Sequence, residues 1–146
     1  MILTFFLLAQ MSCSAHHAHG VDQRGDTAMG FSHQATKHAF RPMRDGGAIE
    51  VRALDGKDTK SIEAIRAHLQ EITKSFAAGD FAKPEYIHDQ LPDGAAEMRD
   101  LRNVIRYRYE ELDRGGRVRI STADKRAVEA IHRFLRFQSA EHRTAD

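Results

Sequence analysis

His38-Ala-Phe-Arg-Pro-Met-Arg-Asp-Gly-Gly-Ala-Ile-Glu-Val-Arg-Ala53 and Tyr107-Arg-Tyr-Glu-Glu-Leu-Asp-Arg-Gly-Gly-Arg-Val-Arg-Ile-Ser-Thr122 are two versions of one plan. Each alternates apolar with charged residues, reaches a glycine pair, and alternates again. A period of two marks a strand with one face buried. A glycine pair supplies the positive φ that a tight reversal demands. Each version is followed by the same helical phrase: Ile62-Glu-Ala-Ile-Arg-Ala-His-Leu69, then Val128-Glu-Ala-Ile-His-Arg-Phe-Leu135. Two strand–turn–strand–helix units predict an α+β fold, a mainly antiparallel four-stranded sheet with both helices on one face. A lone hairpin is marginal in water, so the two units are expected to pair edge to edge.

The units run over residues 38–78 and 104–143, with a linker over 79–103, in a single domain covering 38–146. In the first helix Ile62, Ile65, Leu69, Ile72 and Phe76 share one face, with Asp58 or Thr59 as N-cap. Gly79 and Pro84 end it. Glu85–Leu91 reads as a short strand or extended loop, and 95–103 as a short helix with Met98 and Leu101 inward. Asp124 or Thr122 caps the last helix, whose inner face carries Val128, Ile131 and Leu135, with Phe134 at its edge.

The N-terminal end is different in character. Residues 1–15 hold the run Ile-Leu-Thr-Phe-Phe-Leu-Leu-Ala and then Ser12, Ser14 and Ala15. A run this short fits a signal peptide cleaved after Ala15 better than a membrane span, which needs about 20 apolar residues. No Lys or Arg precedes it, a departure from the usual signal pattern. The expectation is a periplasmic or secreted protein with no stable membrane span in its mature form. Cleavage there removes Cys13, the single cysteine, and with it any thiolate or disulfide chemistry. Residues 16–37 have no period and are rich in Gly, Asp and Ser, which predicts a flexible leader or arm. Its Arg24-Gly25-Asp26 reads as a turn with solvated charges.

Of the 146 residues, Lys and Arg number 22 against 21 Asp and Glu, a formal charge of +1. No run of like charge stands out, which argues against a nucleic-acid partner. The compositional anomaly is nine histidines. Aligning the glycine pairs matches His38 to Tyr107 and Phe40 to Tyr109, so His38 is expected to point toward the helices. His68 lies about 70° off the centre of the first helix's apolar face, and His132 about 90° off on the second. His142 projects onto that second face if the helix runs so far, and His88 sits in the linker. Converging neutral imidazoles make a site for copper, zinc or haem iron. His38, His68 and His88 are the candidate metal ligands, with His132 and His142 in support. No His-x-x-x-His spacing is present, so the signal is dispersed. His16, His17 and His19 form a second group that, after cleavage, could chelate Cu(II) with the new terminal amine, or serve as a polar leader. Met29 and His33 could add a soft and a borderline ligand, although Met29 reads first as a packing residue.

No Gly-x-Ser-x-Gly turn, phosphate loop or dinucleotide fingerprint occurs. Acid–base chemistry from His88 with Asp89 has little support.

The run Val21-Asp-Gln-Arg-Gly-Asp-Thr-Ala-Met-Gly-Phe-Ser-His33, with Thr36-Lys-His-Ala-Phe40, Phe76-Ala-Ala-Gly-Asp-Phe81, Ile87-His88-Asp89, Ala130-Ile-His-Arg-Phe-Leu-Arg-Phe-Gln138 and Glu141-His-Arg-Thr144, resembles a family of small exported bacterial proteins. The likeness covers about residues 21–146 and implies no established activity. Members sometimes carry an aspartate carbamoyltransferase label. This chain is too short for that two-domain enzyme and has no carbamoyl-phosphate loop. Similar members often have a second histidine where this chain has Ala39. The reading that results is an exported, histidine-rich metal-binding protein, copper first, or a haem-binding one. The alternative is a non-enzymatic ligand- or partner-binding module whose histidines are structural or pH-responsive.

Overall fold

The structure, a computed structural model, describes residues 4–144, with side chains from Ala15 onward. The elements are α1 (Thr4–Met29), β1 (Thr36–Met43), β2 (Gly46–Ala53), α2 (Thr59–Ala77), α3 (Ala82–His88), α4 (Ala95–Asp100), β3 (Arg106–Leu112), β4 (Gly115–Ser121) and α5 (Lys125–Glu141). The sheet order is β1-β2-β4-β3, with every neighbouring pair antiparallel. The two units therefore meet along β2 and β4, and α2 and α5 cover one face.

The alternation does what its period demands. Phe40, Ile49, Val51, Val118 and Ile120 point into the core, where none is more than 5% exposed. On α2 the buried stripe is Ile62, Ile65, His68, Leu69, Ile72 and Phe76. On α5 it is Ala127, Ala130, Ile131, Phe134, Leu135 and Gln138. Phe134 is thus central and Val128 at the rim, the reverse of the expectation, because Ala127 and Ala130 let the helix lie close on that side. Full burial of a Leu or Ile contributes about 1.5–3 kcal/mol. Asp58 caps α2 by accepting from the Ser61 amide at 3.0 Å, and Asp124 caps α5 by accepting from the Ala127 amide at 3.0 Å.

The helices cross over. α2 belongs to the first unit but lies mainly on β3 and β4, while α5 of the second unit lies on β1 and β2. Each unit thereby completes the core of the other.

Three local expectations are corrected. Met43 pairs with Gly46 and Leu112 with Gly115, so the hairpin turns are Arg44-Asp45 and Asp113-Arg114, and the glycines open the return strands. Close approach explains the inner glycine of each pair. A Cβ on Gly47 would stand 2.2 Å from Leu135 Cδ1 and 2.6 Å from the Arg41 carbonyl, and one on Gly116 would stand 3.0 Å from Leu69 Cδ1. Residues 82–88 form a helix instead of a strand or loop. Pro84 falls in its first turn, where a missing N–H costs nothing.

The expected arm at 16–37 is mostly helix: α1 runs to Met29, and β1 begins at Thr36. Local propensity is poor there, with Gly20 and Gly25, so the helix is held by what it packs on. Val21 is 1% exposed, Arg24 donates to the Ile87 carbonyl at 2.9 Å, and Lys83 donates to the Ala28 carbonyl at 3.3 Å. Of the proposed leader, residues 1–3 lie outside the described residues and 4–15 form the start of α1.

Candidate functional site

Four histidines from four separate elements meet under the N-terminal helix. β1 turns His38 inward beside Phe40, α2 supplies His68 from its buried stripe, α3 ends on His88, and His142 follows the last residue of α5. The crossing of α5 onto β1 makes the meeting possible. His38 and His142 stack with centroids 5.1 Å apart and planes at 12°, and the His88 ring stands edge-on to His142 at 5.2 Å. Phe31, just beyond α1, lies 6.0 Å from His38 and 5.7 Å from His68.

These rings, with Met29, line a cavity of about 50 Å³. Its other walls are aliphatic and aromatic, joined by Lys83 and Gln138. No hydroxyl, thiol or carboxylate is among its lining side chains. An outer pocket of about 250 Å³, lined by Asp22, His33, Lys37 and Arg143, shares His38 and His142 with it. The stacked pair therefore stands between the two pockets.

Backbone conformation at the two helix ends aims the last two rings. Asp89 (φ 56°) and Arg143 (φ 53°) are the non-glycine residues with left-handed backbone among those described, and each directly follows a chamber histidine. Such conformations cost free energy and persist where the surroundings enforce them. Asp22 holds the Arg143 guanidinium at 2.6 and 2.9 Å.

Burial sets the protonation. Desolvation pushes the imidazoles of His38 and His68 down to about 4, helped by nearby His33 and Lys83 respectively. His142 is pushed down to about 2, by burial first and then by its histidine neighbours. Burial lowers His88 too, outweighing its bond to Gln138 and the nearby Glu141 carboxylate. All four are neutral at pH 7.

His88 Nε2–H donates to Gln138 Oε1 at 2.9 Å, which leaves Nδ1 with a lone pair, 3.6 Å from Glu141 Oε2. That carboxylate instead accepts from His17 Nε2 at 2.8 Å. His38 Nε2, His68 Nδ1 and His88 Nδ1 are buried without a hydrogen-bond partner. Orphaned buried polar atoms are uncommon; Tyr107 Oη, Tyr109 Oη and Arg133 Nε are the others among the described residues.

Of the sequence candidates, then, His38, His68, His88 and His142 come together. His132 does not: its Nε2 donates to the Met43 carbonyl at 2.8 Å, outside the chamber. Its counterpart in the first unit, Arg66, donates to the Leu112 carbonyl at 3.1 Å in the other hairpin. His132 thus ties a helix to a turn. Phe31 and Gln138 were not foreseen. Gln138 was legible as the next step of the 127-130-131-134-135 stripe; Phe31 had no local signal. Among the described residues, no three His, Cys, Asp or Glu side chains form a group that could hold a metal ion. Among them, too, no helix is long and apolar enough to cross a membrane.

No protein-family model matches the chain, and no curated protein or solved structure matches it either.

Proposed function

We propose that this protein is an exported, non-catalytic binding module and that its ligand is a soft metal ion, copper in the monovalent state first, taken into the histidine chamber. The observation that carries the reading is the set of three partnerless imidazole nitrogens on residues that line one cavity together with Met29. Neutral imidazole and thioether are the donors that favour Cu(I), and a singly charged ion suits an apolar wall. The rings have to turn toward a common point to share the ion, and the His38–His142 stack has to part for both to take part. Asp22, His33 and the outer pocket offer polar groups along that route. Haem fits less well, because a porphyrin is far larger than a cavity of about 50 Å³. Export rests on the apolar run ahead of Ala15.

The test is a competition titration of untagged, metal-free protein with Cu(I) and a chromogenic chelator under reducing conditions. One ion per chain is expected, with His38→Ala and His68→Ala each weakening binding at least tenfold and His132→Ala matching the parent. No competition with the chelator, or His38→Ala and His68→Ala indistinguishable from the parent, would reject the metal.

A second reading has its own observation, the burial of four neutral imidazoles behind a stacked partition. In it the chamber is a pH-responsive lock and binds no metal. Acid opening with no copper uptake at neutral pH would favour that reading.

A further inference from the structure

The sheet face turned away from the helices is open, and cations outnumber carboxylates on it. Apolar residues occupy the inward positions of all four strands, so long polar side chains fall outward. Across the strands, Arg41, Ala48, Arg119 and Arg108 form one row. The adjoining row is Ala39, Glu50, Arg117 and Glu110. Beyond it lie Lys37 and Arg52, and at the opposite end Arg106 stands beside Ser121. Seven cations thus face out against Glu50 and Glu110, with Asp45 of the first turn as a third carboxylate.

The carboxylates do not cancel this at the surface. Glu50 is 9% exposed and lies beneath Arg117 at 2.8 Å, and Glu110 is 26% exposed; only Asp45, at 56%, matches the exposure of Arg41 at 57%, and Arg108 is 74% exposed. Among the described residues no carboxylate reaches ion-pair distance of Lys37 or Arg106. The whole chain carries only +1, so the charge is polarised between the two layers.

Three kinds of occupant can be weighed. A second copy presenting the same face is repelled by like charge. Sheets that bind single-stranded nucleic acid offer aromatic rings for bases to stack on, and here Tyr107 and Tyr109 lie on the inward face. A bilayer asks only for a broad array of cations and an apolar residue to enter the interface. Leu54, 57% exposed, supplies the second: it borders a hollow lined by Lys37, Arg41, Arg52 and Arg114, with Glu50 as its single carboxylate. We propose that this open sheet face docks the protein on an anionic phospholipid surface, the guanidinium groups taking headgroup phosphates and Leu54 entering the interfacial layer.

The experiment is co-sedimentation of the full chain with phosphatidylcholine vesicles, with and without phosphatidylglycerol, at low and high salt. Pelleting is expected only with phosphatidylglycerol and only at low salt. The triple variant Arg41→Glu, Arg106→Glu, Arg108→Glu should lower partitioning by roughly a hundredfold. Lys60→Glu, Lys74→Glu, Arg136→Glu makes the same change of net charge on the helical layer and should bind like the parent. Circular dichroism melts establish that each variant is folded, and Gln in place of Glu at the same sheet positions serves if the first triple is not. Equal pelleting on neutral vesicles overturns the proposal, as does equal loss from the two triples. So does tighter binding of duplex DNA or polyglutamate than of the vesicles.

Discussion

The two ββα units share a plan and differ in what fills it. His38 of the first corresponds to Tyr107 of the second, Phe40 to Tyr109, and His68 to Phe134. Around Phe134 the filling is aromatic: Phe76, Phe81 and Phe134 have mutual ring distances of 4.6–5.7 Å, and Tyr107 stands edge-on to Phe76. Around His38 and His68 the same scaffold holds desolvated imidazoles and a cavity. The framework contacts are kept on both sides. Leu135 of α5 sits on Gly47 and Leu69 of α2 on Gly116; His132 bonds one hairpin and Arg66 the other. A repeated scaffold therefore tolerates different fillings at corresponding positions, because the crossed helices carry the shared stability.

The comparison breaks most easily with acid. The folded pKa of His38 and of His68 is about 4, below the ordinary 6.5, so the unfolded chain takes up these protons first. Stability is then full above pH 6.5 and falls between pH 6.5 and 4, by about 3 kcal/mol for each ring. Urea denaturation at pH 7 and pH 4 measures it. His38→Phe with His68→Phe makes the first unit resemble the second and should remove these two rings' share of the loss, leaving that of His142 and His88. A double variant as acid-sensitive as the parent would place the cause elsewhere.

Among the aromatic rings, Phe76→Ala removes the one at the centre of the cluster and should cost about 3–5 kcal/mol in the same assay. The glycines sharpen the comparison further. Gly47→Ala drives a methyl toward both Leu135 and the fixed Arg41 carbonyl, whereas Gly116→Ala meets only side chains, Tyr109 and Leu69. The first should cost about 2–3 kcal/mol and the second about 1 kcal/mol, measured as shifts in denaturation midpoint. Smallest are the caps. Asp58→Ala and Asp124→Ala should each lower the denaturation midpoint by less than either glycine change, and equally, since both accept one amide at 3.0 Å.

Periodicity made the sheet and its two helices readable, and the alignment of the repeats put His38 on the inward face. His68 and His88 could be nominated by residue type but not brought together. The arm at 16–37 was misread because the stabilisation of that helix comes from Val21 and the contacts of Arg24 with α3, contacts far apart in sequence. The hairpins were misplaced by one step, since glycine pairs serve close approach as readily as chain reversal. Scattered arginines gave no sign of a basic surface; alternate positions on four strands had to be laid side by side first.

By itself, then, the chain's alternation and its repeated helical phrase determined the α+β class, the antiparallel hairpins and the faces that must be buried. These depend on neighbours two to four residues apart. The tertiary structure alone decided that α5 crosses to β1, that four imidazoles share a cavity, that His132 is excluded from it, and that seven cations line one face. Those outcomes depend on which elements pack together, and the burial that selects the pairing arises only between segments distant in the chain.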